Sequence, residues 1–352
     1  MMWLERYKYY NDIVKRSFGE STHFKWKLRS LVTGHSAARL SILPEPLLKS
    51  GKYVREARYK RKLAQRNKQL HHALFHKLSH KLWLDRVMPE VSPPVYYYVA
   101  GSIIVPLEGT PAAACPQAYL ELVKKHGSLF IKPGNLIGGA GAFLLEWRND
   151  ALFIDGIKSN SEELKKLCGG IGTGYVISEK IAQGEWSAQF FSETLNTIRI
   201  TTGTSAHGHK VCFIAATFKI GASETIPTDN FKGGRGGWAC GVDLETGELG
   251  RLVHYDDAIG ARVESDQHPE TGVRVTGETI PDWSSVKETV SRLASLLPHP
   301  GIVGWDIALT PNGPMVVELN TSPHIDIHQA TTPIADTEDK RAYLREFGVP
   351  LD

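Results

Sequence analysis

Two apolar runs near the C-terminal end, GIVGWDIAL and PMVVELN, are separated by the turn Thr310-Pro311-Asn312-Gly313. Strand-length runs joined by so short a connection containing Asn-Gly close as an antiparallel hairpin. That hairpin carries polar groups in an apolar setting. Asp306 lies on its first strand, and Glu318 and Asn320, two apart and so on one face, lie on its second. A carboxylate in such a run is costly to bury unless it is paired or binds a cation. Oxygen ligands from Asp, Glu and Asn suit Mg2+, which also takes phosphate oxygens. A salt bridge on a plain hairpin is the competing reading.

The rest of the chain must supply a fold that uses this hairpin. With 352 residues, two or three units are expected. At 41% hydrophobic and 22% charged residues the composition is that of a globular protein. No apolar run reaches the roughly 20 residues of a membrane span. The opening MMWLERYKYYNDIVKR lacks the apolar stretch of a signal peptide. A cytoplasmic protein is expected. Cys115, Cys168, Cys212 and Cys240 form no Cys-x-x-Cys pair and have no His at ligand spacing, so free thiols are expected rather than zinc or disulfides.

The net charge of +3 hides an asymmetry. Residues 1–90 hold 20 Lys+Arg against 7 Asp+Glu, and the remainder is acidic. A basic module favours anionic partners, here a nucleotide sugar, an anionic polymer or the inner membrane surface, or it is a solvated helical surface. No nucleic-acid recognition motif accompanies the charge. This region reads as helical: Leu70, Leu74, Leu78 and Leu82 recur every four residues across a helix from Leu63 to Val87. Pro89 to Pro94 reads as a linker.

Beyond it, residues 91–185 and 186–330 read as two α+β units, with 331–352 a polar tail. In the first, Pro116 opens a helix that Gly127 closes. FIKPGNLIGGAGAFLL then delivers Lys132 from a strand into a loop with Gly138, Gly139 and Gly141, where backbone N–H groups can converge on phosphate. In YVISEKIAQGE an apolar strand ends at Glu179-Lys180-Ile181, with Glu185 after a turn. Two β-like runs between Asn196 and Ile220 flank a turn at His207-Gly208-His209. Residues 221–282 show little periodicity and read as a long functional loop. Ser285 and Glu288 read as a capping box for a helix burying Val286, Val290, Leu293 and Leu297.

These pieces, in this order, resemble the ATP-grasp superfamily. VGWDIALTPNGPMVVELNTSP looks like the closing motif of RimK-like glutamate ligases, and NTIRI followed by TDNFKGG is similar to their arginine strand and Asn-containing loop. VDLETGELG, HPETG, IPDW and VGWDIA in succession look like the sugar-transfer-associated ATP-grasp family. The resemblance covers roughly residues 80–330 and leaves the basic helical region outside.

It implies an α+β ATP-grasp fold, two subdomains clasping ATP, and an ADP-forming ligase that joins a carboxylate to an amine through an acyl phosphate. A carboxylated sugar of surface polysaccharide synthesis is the expected acid. A peptide ligase, or a kinase that stops at phosphoryl transfer, is the alternative. Lys132, Lys81 and Gly138, Gly139 and Gly141 would hold the phosphates. Glu179, Lys180 and Ile181 would frame the adenine, and Glu185 the ribose. Asp306, Glu318 and Asn320 would bind one or two Mg2+ ions, for which Mn2+ could substitute. Arg199, Lys219 and His324 would be catalytic, and Asn230, Lys232, Arg235 and Asp326 would contact substrate.

Overall fold

In the computed structural model the described residues are 24–44, 50–107, 111–136, 141–172, 174–205 and 210–351, together with 11, 14, 15, 17 and 18. Among the described residues from Phe24 on, the chain begins with α1 (Phe24–Thr33), α2 (Ala37–Ile42), α3 (Glu56–Arg66), α4 (Lys68–Leu74) and α5 (Lys77–Val87). The expected single helix over 63–87 is broken twice, and its leucine stripe with it: Leu70 and Leu74 are buried while Leu82 is 54% exposed. The first break has a cause. Asn67, between α3 and α4, turns its amide into the C-terminal part of the chain, donating to the Ile302 and Thr321 carbonyls at 2.5 and 2.8 Å.

An eight-stranded sheet follows, ordered β3-β2-β1-β8-β4-β5-β6-β7. Its strands are β1 (Val95–Ala100), β2 (Ile103–Pro106), β3 (Ala112–Ala113), β4 (Ser128–Pro133), β5 (Phe143–Arg148), β6 (Ala151–Ile154), β7 (Ile157–Ser159) and β8 (Tyr175–Ser178). Helices α6 (Pro116–His126) and α7 (Ser161–Gly169) accompany it. Pro116 at the start and Gly127 at φ 77 bound α6 as expected. Asn160 caps α7 by accepting from the Glu162 and Glu163 amides, both at 3.0 Å. In β4, Leu129 and Ile131 enter the core with Tyr119 and Val123 of α6. The period of two therefore sends Phe130 and Lys132 to the opposite face.

The short helix α8 (Glu185–Ala188) leads to a seven-stranded sheet ordered β13-β12-β11-β10-β9-β14-β15. Its members are β9 (Thr197–Thr204), β10 (Val211–Ile220), β11 (Trp238–Val242), β12 (Leu249–Asp256), β13 (Ala261–Ser265), β14 (Ile302–Thr310) and β15 (Gly313–Asn320). Both expected hairpins form, β9 with β10 and β14 with β15. The turn 207–209 lies outside the described residues. The expected long loop 221–282 instead contains β11, β12 and β13. Tight turns separate these strands. At one, Asp243 Oδ1 accepts from the Glu245 and Thr246 amides at 2.9 and 2.8 Å. Helix α9 (Trp283–Ser295) buries Val286, Val290 and Leu293 as expected, but it starts before Ser285 and has no capping box there.

The segment read as a polar tail is packed. Helices α10 (Asp326–Thr331) and α11 (Glu338–Glu346) fold back, and Tyr343, Leu344, Phe347 and Val349 join Tyr59, Leu63 and Ile214 in one cluster. The stretch 89–94 is also no free linker, since Met88 and Val91 share a core with Phe218, Leu293 and Trp305. Helices α2 to α5 are thus built into the core of the seven-stranded sheet, whereas Trp26 of α1 packs in a separate cluster with Ala37 and Leu40. Among the described residues no helix is long and apolar enough to cross a membrane.

Candidate active site

A cleft of about 620 Å³ is lined by residues from both sheets. The eight-stranded sheet contributes Lys132 from β4 and the Glu179-Lys180-Ile181 segment that leaves β8. The seven-stranded sheet contributes Arg199 of β9, Lys219 of β10, Asp306 of β14, and Glu318 and Asn320 of β15. Residues separated by almost 190 positions in sequence therefore meet across one space. Lys132 Nζ reaches the Val317 carbonyl at 3.4 Å.

Register brings the charged groups together. Asp306 pairs with Arg199 on one side and with Glu318 on the other. Immediately after the Asp306–Glu318 pair the ladder slips, and Ile307 faces Val316, so Val317 is an extra residue on β15. A bulge of this kind re-aims the side chains beside it. Arg199 holds Asp306 bidentately, Nε to Oδ1 at 2.5 Å and Nη2 to Oδ2 at 2.7 Å. Lys219 lies 3.5 Å from Asp306 and 3.1 Å from Asp229. Asp229 also accepts from the Thr197 amide at 2.9 Å.

Burial alone would raise the pKa of Asp306, but Arg199 and Lys219 outweigh it and hold the carboxyl at about 2. Burial likewise opposes ionisation of Glu318, yet Lys77, 3.1 Å away, helps to keep its pKa below the ordinary value. Burial pushes the Lys132 ammonium below the ordinary lysine value, and Glu318 only partly opposes it. Asp229 shifts upward, since burial exceeds the pull of Lys219.

Two carboxylates and an amide oxygen are the donor set of a hard divalent cation. Among the described residues no group of three or more His, Cys, Asp or Glu side chains could hold a metal. Any cation here needs further oxygens, such as those of phosphates. The Asn320 Nδ2 atom is buried without a hydrogen-bond partner, so turning that amide to present its oxygen sacrifices no bond of the nitrogen. The residues present thus fit Mg2+ in donor type.

Other expected residues fall in different places. Lys81 lines the cleft, tied to Asp85 and, at 2.8 Å, to Ser92. Asn230 lines it as well. Gly138 and Gly139 lie outside the described residues, while Gly141 has φ 71 just before β5. Glu185 begins α8 and does not line the cleft, whereas Glu193 does. Lys232 and Arg235 are also not among the lining residues. Arg235 stacks 3.9 Å from the Tyr255 ring and pairs with Asp257 at 3.1 Å. His324 and Asp326 line a second cavity of about 190 Å³.

Sequence reasoning missed Lys77 and His80, both in the cleft. His80 is 5% exposed and its Nε2 has no partner. Burial, with Lys132 nearby, lowers its pKa to about 3. The signal was present, since Lys77 and Lys81 flank His80 on one helix, but the leucine stripe masked it.

A family model described as sugar-transfer associated ATP-grasp matches residues 109–335. Among curated proteins none matches the sequence. Solved structures similar to this chain include D-alanyl-alanine synthetase A from Vibrio cholerae O1 biovar eltor, with 10% identity, 79% of this chain and 66% of that chain covered, and a TM-score of 0.46. Another is N5-carboxyaminoimidazole synthetase from Staphylococcus aureus, with 12% identity, 80% and 53% covered, and a TM-score of 0.39. The chain thus spans between half and two thirds of the length of these two proteins.

Proposed function

The chain belongs to the sugar-transfer associated ATP-grasp family, and from that premise we propose that it is an ATP-dependent ligase that activates a carboxylate as its acyl phosphate and transfers it to an amine. The observation that carries the reading is the convergence of Lys132 with Arg199, Lys219, Asp306, Glu318 and Asn320 on one cleft. Phosphoryl transfer needs little covalent help from a protein. It needs positioning and stabilisation of the charge spread over the phosphoryl oxygens.

In this reading Lys132, reaching across from β4, contacts the ATP phosphates. Glu179 to Ile181 line the adenine end, and Glu193 takes the ribose role first assigned to Glu185. Asp306, Glu318 and Asn320 would hold Mg2+, which neutralises the phosphates when bound. Arg199 is fixed by Asp306 and stays protonated in its buried site, because the Asp306 carboxylate outweighs the desolvation that opposes its charge. It can therefore stabilise negative charge on the transferred group without reorganising. Lys219, held by Asp229, adds a second cation on the same sheet.

The family description supports a sugar-bearing acid, and we assign the carboxylate to a carboxylated sugar or related metabolite of surface polysaccharide synthesis. The site of action is then the cytoplasm or the inner membrane surface. The basic surplus of the first helices fits an anionic partner, although part of it is internal, since Arg39 is 8% exposed.

A hydroxylamine trap tests the reaction. Enzyme, Mg-ATP and hydroxylamine are incubated with uronic acids, nucleotide-linked uronic acids and amino acids, and ADP and hydroxamate are read together. A hydroxamate from one acid is expected. A stable phosphate ester without hydroxamate would replace the ligase by a kinase, and ADP release lost in Glu318→Ala would tie turnover to this cleft.

A further inference from the structure

Helix α1 is amphipathic in the wrong sense for a core. Its apolar residues Phe24, Leu28, Leu31 and Val32 recur at i, i+4, i+7 and i+8, the spacing of one helical face. In a globular protein such a face turns inward. Here it turns outward: Phe24 is 63% exposed and Val32 78%, with Leu28 and Leu31 exposed between them. The buried side is the opposite one and carries Trp26 and Ser30. Trp26 packs with Ala37 and Leu40 of α2 and anchors the helix there. Phe18, also exposed, is held beside the stripe, since its carbonyl accepts from Lys27 Nζ at 3.3 Å. Among the described residues twelve large apolar side chains are exposed, and five of them fall between positions 18 and 32. Scattered apolar residues on a surface need no explanation, whereas a contiguous patch marks a surface that meets something.

Charge decides what it meets. At 3.6 residues per turn, Lys27 falls on one edge of the stripe and Lys25 and Arg29 on the other. The Trp26 ring holds the latter two on that shoulder, with Lys25 Nζ 4.8 Å and Arg29 Cζ 5.2 Å from its centroid. Past the C-terminal end, a Cβ on Gly34 would come within 3.9 Å of Arg55 Cδ, so another exposed basic residue stands there. From Phe24 to Pro44 the chain holds four Lys and Arg and no Asp or Glu. A two-fold dimer through this face would set these cations against their own copies with no acid to pair them, which opposes self-association. An apolar stripe edged on both sides by cations is instead the pattern of a helix lying in the plane of an anionic bilayer. The stripe enters the acyl boundary, while Lys and Arg stems run along it and set their charges among the lipid phosphates. Ten residues are about half the roughly 20 that a span needs, so α1 would lie on the membrane and not cross it.

We propose that α1, together with Phe18, is a docking surface for a membrane containing anionic phospholipid. The helix lies outside the family match of 109–335, so this surface does not come with the matched region. It narrows the site of action to the membrane surface. It is independent of the ligase reading, since none of its residues lines the cleft. Hydroxamate formation in solution tests the one, and vesicle binding the other. A single short helix gives reversible attachment whose strength follows the apolar area buried and the charge of the lipid.

The test is co-sedimentation of the full chain with vesicles of phosphatidylcholine alone and of phosphatidylcholine mixed with an equal part of phosphatidylglycerol. Binding to the mixed vesicles is expected, about tenfold or more above that to the neutral ones. It should weaken as salt rises from about 0.1 M to about 1 M, which shortens the screening length from about 10 Å to about 3 Å. Each cation near such a surface contributes about fivefold to partitioning, so Lys25→Gln with Lys27→Gln should weaken binding roughly twentyfold. Leu28→Gln with Val32→Gln withdraws the stripe and keeps the charge, and should weaken it about tenfold or more. None of the four side chains is buried, so circular dichroism of both variants should match the wild type. If a double variant unfolds, Val32→Gln, at the most exposed position of the stripe, decides alone. Binding that ignores both pairs of substitutions, or that is equal on neutral and mixed vesicles, overturns the proposal. So does a wild-type chain that stays in the supernatant. If that chain is dimeric by analytical ultracentrifugation and Leu28→Gln with Val32→Gln makes it monomeric, the face joins two copies instead.

Discussion

At the residue scale the two acidic groups of the cleft differ in what they hold. Asp306 accepts two bonds from Arg199 inside the sheet, whereas Glu318 faces the cleft with a side chain 23% exposed and pairs with Lys77. Removing one partner of a buried pair leaves the other charge uncompensated and costs roughly 3–5 kcal/mol. A partly exposed pair contributes about 1 kcal/mol or less. Asp306→Asn should therefore lower the urea midpoint strongly and Glu318→Gln little, while both abolish ADP formation. Equal stability losses would mean that Arg199 finds another acceptor. Gly304 makes a related point. Its missing side chain is the room through which Arg199 passes, so Gly304→Ala should reduce kcat well beyond any change in the KM for ATP. If the two parameters moved together, the effect would lie in ATP binding and not in the placement of Arg199.

At the scale of elements, what was legible in the sequence was whatever a local period could carry. The hairpin of β14 and β15 was readable because Thr310-Pro311-Asn312-Gly313 sits between two strand-length runs. The bulge at Val317 was not, because one extra residue in a strand leaves no mark on composition. Strands β11 to β13 were lost because they are joined by Asp- and Gly-rich turns that resemble loop. Glu185 and Glu193 were indistinguishable in sequence, both being acids after an apolar strand, and only the path of the chain brings Glu193 to the cleft. Helix α11 was hidden by its polar face, with Lys340, Arg341 and Arg345 outweighing Tyr343 and Leu344 in any average. Burial of one large apolar side chain contributes roughly 1.5–3 kcal/mol. Tyr343, Leu344, Phe347 and Val349 together therefore rival the whole net stability of a domain, about 5–15 kcal/mol. A chain ending before Asp336 should be insoluble or unfolded by circular dichroism. A soluble, active truncation would show that this cluster is peripheral to the fold.

At the scale of the whole molecule, the fold takes several imidazoles inside. His80 and His328 are held at about 3, and His35 at about 4, in each case chiefly because burial disfavours the charged ring. His328 is fully buried between the hydroxyls of Thr201 and Thr217, at 2.8 and 2.7 Å. In the unfolded chain these rings protonate near the ordinary value of 6.5, but in the folded chain only below 4 or so. Between those limits the unfolded state binds more protons, so stability is full above about pH 6.5 and is lost as the pH falls. Asp306, with its pKa lowered to about 2, extends the loss in the same direction at still lower pH. Each proton taken up on unfolding adds a slope of about 1.4 kcal/mol per pH unit. Urea unfolding followed from pH 7 to 4.5 should thus show a steep decline before the carboxylates titrate. His328→Gln, which keeps a polar group between the two threonines, should flatten that decline by about one proton's worth, roughly 1.4 kcal/mol per pH unit. A wild-type stability that stays level to pH 4.5, or a slope unaltered in the variant, would mean that these rings take up protons inside the folded protein. The cleft would then carry additional positive charge at mildly acidic pH.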